Sequence, residues 1–286
     1  MRLPLGVARA AVRLGSRPLG RPVPLTVQRA LVEAQARIGR LPRGTSVEHT
    51  VVGGRPAELV TGPRHDGPPV LLLHGGAFVT GSPRTHRVLA AHVAHAAQAP
   101  VVALDYRRAP EHPYPAAVDD AEAAFEQLSA GGPVRVFGDS AGGALALLLA
   151  LRRRDTGRPG PAAMALVSPV ADLTLTDALA YRGADPMLRP SWVRQGRDAF
   201  VGRIDPRGIS PLHRDLTGLP PVLLHVSEHE RLRPEGERLA AALREAGVAV
   251  TCELLPDLWH DVHVHAHLVP EGAAAVQRLG RWLREQ

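Results

Sequence analysis

Pro133-Val134-Arg135-Val136-Phe137-Gly138-Asp139-Ser140-Ala141-Gly142-Gly143 is a short apolar run, then a serine set between glycines, then a segment rich in alanine and leucine. The order reads as strand, sharp turn, helix. Gly138, Ser140 and Gly142 fit the G-x-S-x-G pattern, in which small neighbours let the chain reverse while the serine keeps a strained conformation with its oxygen presented. Any glycine-rich strand-to-helix turn, including one that cradles a phosphate, satisfies the same five residues. The rest of the chain has to decide between these readings.

Working outward, the chain alternates. A hairpin about the Gly53-Gly54 turn, with strands at 47–51 and 56–60, opens a sheet. Short apolar runs at 69–73, 101–104, 134–137, 163–167, 222–226 and 248–254 are separated by helical patterns at 85–97, 116–128, 142–153, 234–246 and 272–284. Buried runs alternating with helices predict a mostly parallel sheet covered on both faces. The rhythm breaks between Asp172 and Pro220, which leaves room for an inserted helix near 192–201. Before the hairpin, Arg9, Arg13 and Arg17 fall at helical spacing, with Val7, Ala11 and Leu14 on another face. That predicts an amphipathic helix, and 25–38 predicts a second. There is no internal repeat and no long linker, so 1–286 reads as one domain.

Two further pieces of chemistry fall at strand ends. His74-Gly75-Gly76-Ala77-Phe78 follows an apolar run, and glycines there leave backbone N–H groups free to stabilise a developing oxyanion. An acyl-transfer serine also needs a base and an acid to orient it, in the chain order Ser, Asp or Glu, His. Ser227-Glu228-His229-Glu230-Arg231-Leu232 follows the 222–226 run, and Pro256-Asp257-Leu258-Trp259-His260-Asp261 follows the 248–254 run. Serine, oxyanion loop, acid and histidine therefore converge on one edge of the sheet.

Composition narrows the classes. The chain has a formal charge of +6 and a pI near 10.7. Yet it has no lysine, scattered arginines and 3% aromatic residues, which argues against nucleic acid. Cys252 is the sole cysteine, so no intrachain disulfide forms and a reducing cytoplasm is the expected compartment. No apolar run reaches the roughly 20 residues of a membrane span. His263, His265 and His267 alternate after His260, but that spacing spreads the rings around a helix, so no metal site is expected.

The chain resembles the hormone-sensitive lipase family of α/β-hydrolases, in its bacterial esterase branch. The likeness runs through His74-Gly75-Gly76, the stretch Asp105 to Ala116, Gly138 to Gly143 and Ser168-Pro169 with Asp172. It continues through Ser210-Pro211-Leu212 and Gly218 to Pro221, and ends with His260 and Pro270-Glu271-Gly272. The resemblance implies an eight-stranded α/β-hydrolase fold, a helical cap built from 1–43 and about 173–219, and serine carboxylesterase activity with Ser140 as nucleophile and His260 as base. It assigns the triad acid to Glu230, where the family has an aspartate two residues before a leucine; Glu228 and Asp257 are the competing acids. The amides of Gly75, Gly76 and Ala141 are the expected oxyanion hole. Ala77 stands where the family has a third glycine, a change expected to be mild if φ there is negative. His112 falls in a structural turn. The implied partner is a small ester of short to medium acyl length, about two to eight carbons in a capped pocket, with no cofactor and a homodimer left open. The same triad also serves amidases and deacetylases, and a silent binding protein could keep the fold.

Overall fold

The computed structural model describes residues 3–286; Met1 and Arg2, the start of the segment assigned to the cap, lie outside the described residues. Among the described residues eight strands form one sheet: β1 (Ser46–Val52), β2 (Arg55–Thr61), β3 (Val70–Leu73), β4 (Val101–Leu104), β5 (Arg135–Asp139), β6 (Met164–Val167), β7 (Val222–His229) and β8 (Val250–Trp259). Their spatial order is β1-β2-β4-β3-β5-β6-β7-β8. Only the pairings of β1 with β2 and of β2 with β4 are antiparallel. The central strands β3, β4, β5 and β6 are buried at every position, which is why they read as unbroken apolar runs without alternation.

The period of two along β3 sorts its side chains into two cores. Leu71 and Leu73 join the layer under α4 (Ala116–Ser129), α5 (Ala141–Asp155) and α9 (Arg233–Glu245). Val70 and Leu72 join the layer under α3 (Pro83–Ala97) and α10 (Pro270–Glu285). Helix α3 begins where Ser82 and Thr85 bond each other's backbone in a capping box with Pro83 at the first turn.

Before the sheet, α1 (Leu5–Gly15) and α2 (Leu25–Gln35) lie on the edge where the parallel strands end. Ala8 of α1 is buried with Leu255, Leu258 and Trp259 from the end of β8. Arg29 of α2 donates to the carbonyls of Val79 and Ala109 and ion-pairs with Glu111 at 2.7 Å. The insertion between β6 and β7 holds α6 (Thr176–Ala180), α7 (Pro190–Val201) and α8 (Pro206–Ile209). Gln28 of α2 donates to Gln195 of α7 at 3.0 Å, and Ser16 donates to the Pro186 carbonyl at 2.9 Å, so both outlying segments are joined above the sheet edge. No helix among the described residues is long and apolar enough to cross a membrane.

The observed strand ends differ from the expected ones at one informative place. β8 runs through Pro256 to Trp259 rather than stopping at 254. It is the last strand of the sheet, and an edge strand tolerates a proline whose missing N–H would face solvent.

Candidate active site

Ser140 sits between β5 and α5 with φ +49° and ψ −115°, outside the ordinary allowed regions for a residue with a side chain. Its amide donates to the Val167 carbonyl at 2.8 Å, which pins the turn to the neighbouring strand. The flanking glycines are required sterically. A Cβ on Gly138 would stand 2.4 Å from the Gly142 carbonyl oxygen, and one on Gly142 would stand 1.8 Å from the Leu73 carbonyl oxygen.

His260 follows β8 directly, and Glu230 follows β7 directly. The imidazole Nε2 lies 3.0 Å from Ser140 Oγ, and Nδ1 lies 3.1 Å from Glu230 Oε2. The other oxygen of Glu230 accepts the Ser227 amide at 2.9 Å, so the carboxylate is fixed at both ends. All three side chains are buried. The competing acids are elsewhere: Glu228 accepts the Asp257 amide at 2.8 Å, and the Asp257 side chain is 75% exposed.

The oxyanion loop corrects the expected donor set. The Gly75 amide, expected to face the oxyanion, donates instead to Asp139 Oδ2 at 3.0 Å, and a donor already held by a carboxylate is not free for substrate. The amides of Gly76, Ala77 and Ala141 donate to no protein acceptor among the described residues. Ala77 also departs from the condition of negative φ: it stands at +53°, followed by Phe78 at +64°. Asp139 holds the loop with help from α3, since His86 Nε2 lies 3.1 Å from the same oxygen. His74 closes the loop from the other side through Nδ1, 2.8 Å from the Gly75 carbonyl, while Tyr106 donates to the His74 carbonyl at 2.6 Å. Burial pushes the His74 pKa well below its ordinary value, so the ring stays neutral.

Asp261 is a site residue that the sequence reading missed. Its Oδ2 lies 3.1 Å from His260 Nε2, the same nitrogen that faces Ser140. Nothing in the pattern announces it, because adjacency to a histidine in sequence does not say which ring nitrogen a side chain reaches. Burial alone would favour a neutral His260, but the carboxylates of Asp261 and Glu230 reverse this and raise its pKa well above 6.5.

Two cavities meet at Ser140. The larger, about 330 Å³, is lined by His260, Asp261 and Gly76 together with residues of α1 and α2, among them Val12 and Val32. The smaller, about 20 Å³, is lined by Ala77, Phe78, Val170, Leu188 and Val193. His112 lines neither; its amide closes a turn onto Arg108 at 3.0 Å. The alternating histidines do not converge: His263 pairs with His225 at 2.9 Å, and neither His265 nor His267 joins it. Among the described residues the one group with metal-ligand proximity is Glu228, His229 and Asp257, whose ligand atoms lie within 4.8 Å of one another.

A family model described as the alpha/beta hydrolase fold matches residues 70–264. The chain is 41% identical to an acetyl-hydrolase of Streptomyces hygroscopicus over 88% of this chain and 86% of that protein. It is 37% identical to carboxylesterase NlhH of Mycobacterium tuberculosis over 74% and 71%. Among solved structures, an esterase from the bacterial hormone-sensitive lipase family superimposes with a TM-score of 0.91 at 34% identity, covering 100% of this chain and 99% of that one. An esterase/lipase from an uncultured bacterium gives 0.92 at 37%, covering 98% and 97%. With a nucleophile elbow after β5, an eight-stranded sheet in this order and relatives that run the length of the chain, the protein belongs to the α/β-hydrolase family, in its bacterial hormone-sensitive lipase branch.

Proposed function

We propose that this esterase cleaves acetyl and other short acyl esters through a Ser140, His260, Glu230 triad and an acyl-enzyme. The observation that carries the reading is the unbroken hydrogen-bond chain from Ser140 Oγ through both nitrogens of His260 to Glu230, at 3.0 and 3.1 Å. Glu230 accepts Nδ1–H and so favours the tautomer whose Nε2 lone pair faces the serine. Ser140 Oγ attacks the carbonyl carbon as its proton passes to Nε2. The amides of Gly76, Ala77 and Ala141 receive the oxyanion, an effect worth about 3–4 kcal/mol per donor. Nε2–H then protonates the departing alcohol, and water repeats the sequence on the acyl-enzyme.

The two cavities sort the halves of the ester. The leaving oxygen must lie over His260, which lines the larger cavity and not the smaller, so the alcohol occupies the larger and the acyl group the smaller. About 20 Å³ accommodates little more than a methyl group. That favours acetate, at the short end of the expected range, and the likeness to an acetyl-hydrolase supports the same reading. The helices α1 and α2 and the insertion holding α7 act as the cap over both cavities. A silent binding protein would have no need of so complete a proton path.

The test pairs labelling with turnover. A fluorophosphonate should modify the protein once, at Ser140, and Ser140→Ala should lose labelling and lower kcat by roughly 10⁶. Across p-nitrophenyl acetate, butyrate and octanoate, kcat/KM should fall with acyl length. Labelling elsewhere, or a rate that rises toward octanoate, refutes the corresponding half of the proposal.

A further inference from the structure

Asp261 is placed where a serine esterase has no evident need of a charge. It begins a short 3-10 turn (Val262–His265) with φ +52°, and its side chain is buried. Its one ion-pair partner among the described residues is His260 Nε2 at 3.1 Å, while its other carboxyl oxygen is buried without a hydrogen-bond partner. A nitrogen in an imidazole plane serves one partner well. Here Ser140 Oγ at 3.0 Å takes the hydrogen bond, and Asp261 Oδ2 at 3.1 Å lies against the same nitrogen as an ion-pair partner.

We propose that Asp261 is a second carboxylate against the base, a positioning residue whose charge holds the proton on His260 and so sets the pH at which His260 becomes free to act. The inference rests on the triad reading above. Its proton balance is simple. While His260 carries a second proton, held there by the charge of the buried Asp261 carboxylate, Nε2 has no lone pair to accept the proton of Ser140. When that proton leaves to solvent, the lone pair faces Ser140 and attack can begin. The same carboxylate then favours the imidazolium that forms when Ser140 gives up its proton.

The surrounding charges point the same way. Glu230 faces the ring from the end of β7 and Asp185 acts on it from the segment before α7, while Asp139 at the end of β5 acts on Asp261 itself. His86 of α3 is held on Asp139, and Asp139 and Asp261 overcome its burial to raise its own pKa. His263, on the turn that Asp261 begins, is kept neutral by burial. Burial together with Asp139 pushes the Asp261 carboxyl up to about 7, against the pull of His260. With Glu230 and Asp261 each against a ring nitrogen and Asp185 acting on the ring as well, His260 holds its second proton more tightly than an imidazole beside a single acid.

The sign follows. Removing the Asp261 charge lowers the His260 pKa, the base is free at lower pH, and the acid limb of kcat/KM, which reports the free enzyme, moves down. Asp261→Asn and Asp261→Gly are the variants, since both residues tolerate positive φ and the fold has no reason to fail. With p-nitrophenyl butyrate from about pH 5 to 9, each variant scaled to its own plateau, the acid-limb midpoint should fall by about one unit or more, the size expected for an opposite charge at this distance. The pH dependence of fluorophosphonate inactivation should move equally, because it reads the nucleophile without a leaving alcohol. Limbs that superimpose on the wild type overturn the proposal while leaving the triad standing, provided Ser140 alone is labelled. A folded Asp261→Asn protein that is unlabelled at every pH also overturns it, since Asp261 would then be required for the base itself.

Discussion

Glu230 is about 1.5 Å longer than an aspartate in the same place, and the turn after β7 makes the length useful by seating one oxygen on the Ser227 amide at 2.9 Å and the other on His260 at 3.1 Å. Glu230→Gln keeps the volume but loses the charge, and its amide group can favour the wrong tautomer of His260. It should cost about 10⁴ in kcat, the size found when a triad acid is made an amide. Glu230→Asp keeps the charge and shortens the reach, so it should recover only part of the rate. Glu228→Gln and Asp257→Asn should each cost less than tenfold, because Glu228 bonds the Asp257 amide across β7 and β8, the Asp257 side chain is exposed, and neither touches His260. Steady-state kinetics on the four variants decide this: a crippled Glu228 or Asp257 variant beside a healthy Glu230→Gln would reassign the acid. The chain order of Ser140, Glu230 and His260 was legible because each falls at the end of an apolar run. Which amide of the Gly75-Gly76-Ala77 series stays free was not, since small residues in a row do not reveal that Asp139 has already taken the first.

At the level of elements, the oxyanion loop and α7 are built against each other. Ala77 adopts a left-handed φ of +53°, where a side chain costs about 1–2 kcal/mol. Gly196 of α7 meets it without a side chain: a Cβ there would stand 2.2 Å from the Ala77 carbonyl oxygen and 2.7 Å from its methyl. Gly196→Ala therefore sets two effects in opposition. The helix gains about 1 kcal/mol of intrinsic propensity, while the methyl pushes on the loop that carries two of the proposed donors. The fold should hold and kcat should fall about 10²-fold, the cost of misplacing one donor. Measured thermal midpoints alongside kcat separate the effects, and an unchanged kcat would mean that α7 does not brace the loop. The five-residue α6 and the four-residue α8 lay beyond sequence reading because neither spans enough turns to show a period. By contrast α5, α9 and α10 were evident, each being long and lying between buried runs.

For the whole molecule, the proposed function implies a division between a sheet edge that supplies the reacting groups and outlying helices that choose the substrate. Ser140, Glu230 and His260 all issue from strand ends, whereas the walls of the small cavity come in good part from the insertion, through Leu188 and Val193. Acyl selectivity should then be separable from catalysis. Val193→Ala and Leu188→Ala enlarge the smaller cavity without touching the sheet, and room for added methylenes is worth about 1–3 kcal/mol of discrimination. The ratio of kcat/KM for p-nitrophenyl octanoate over acetate should rise about tenfold or more in each, with acetate turnover falling modestly. Val32→Ala, in the larger cavity between α2 and the triad, should leave that ratio in place and instead relax preference among acetate esters of bulkier alcohols. If Val32→Ala raises the octanoate ratio while the Leu188 and Val193 variants do not, acyl and alcohol occupy the opposite cavities, and the assignment made from the position of His260 is reversed.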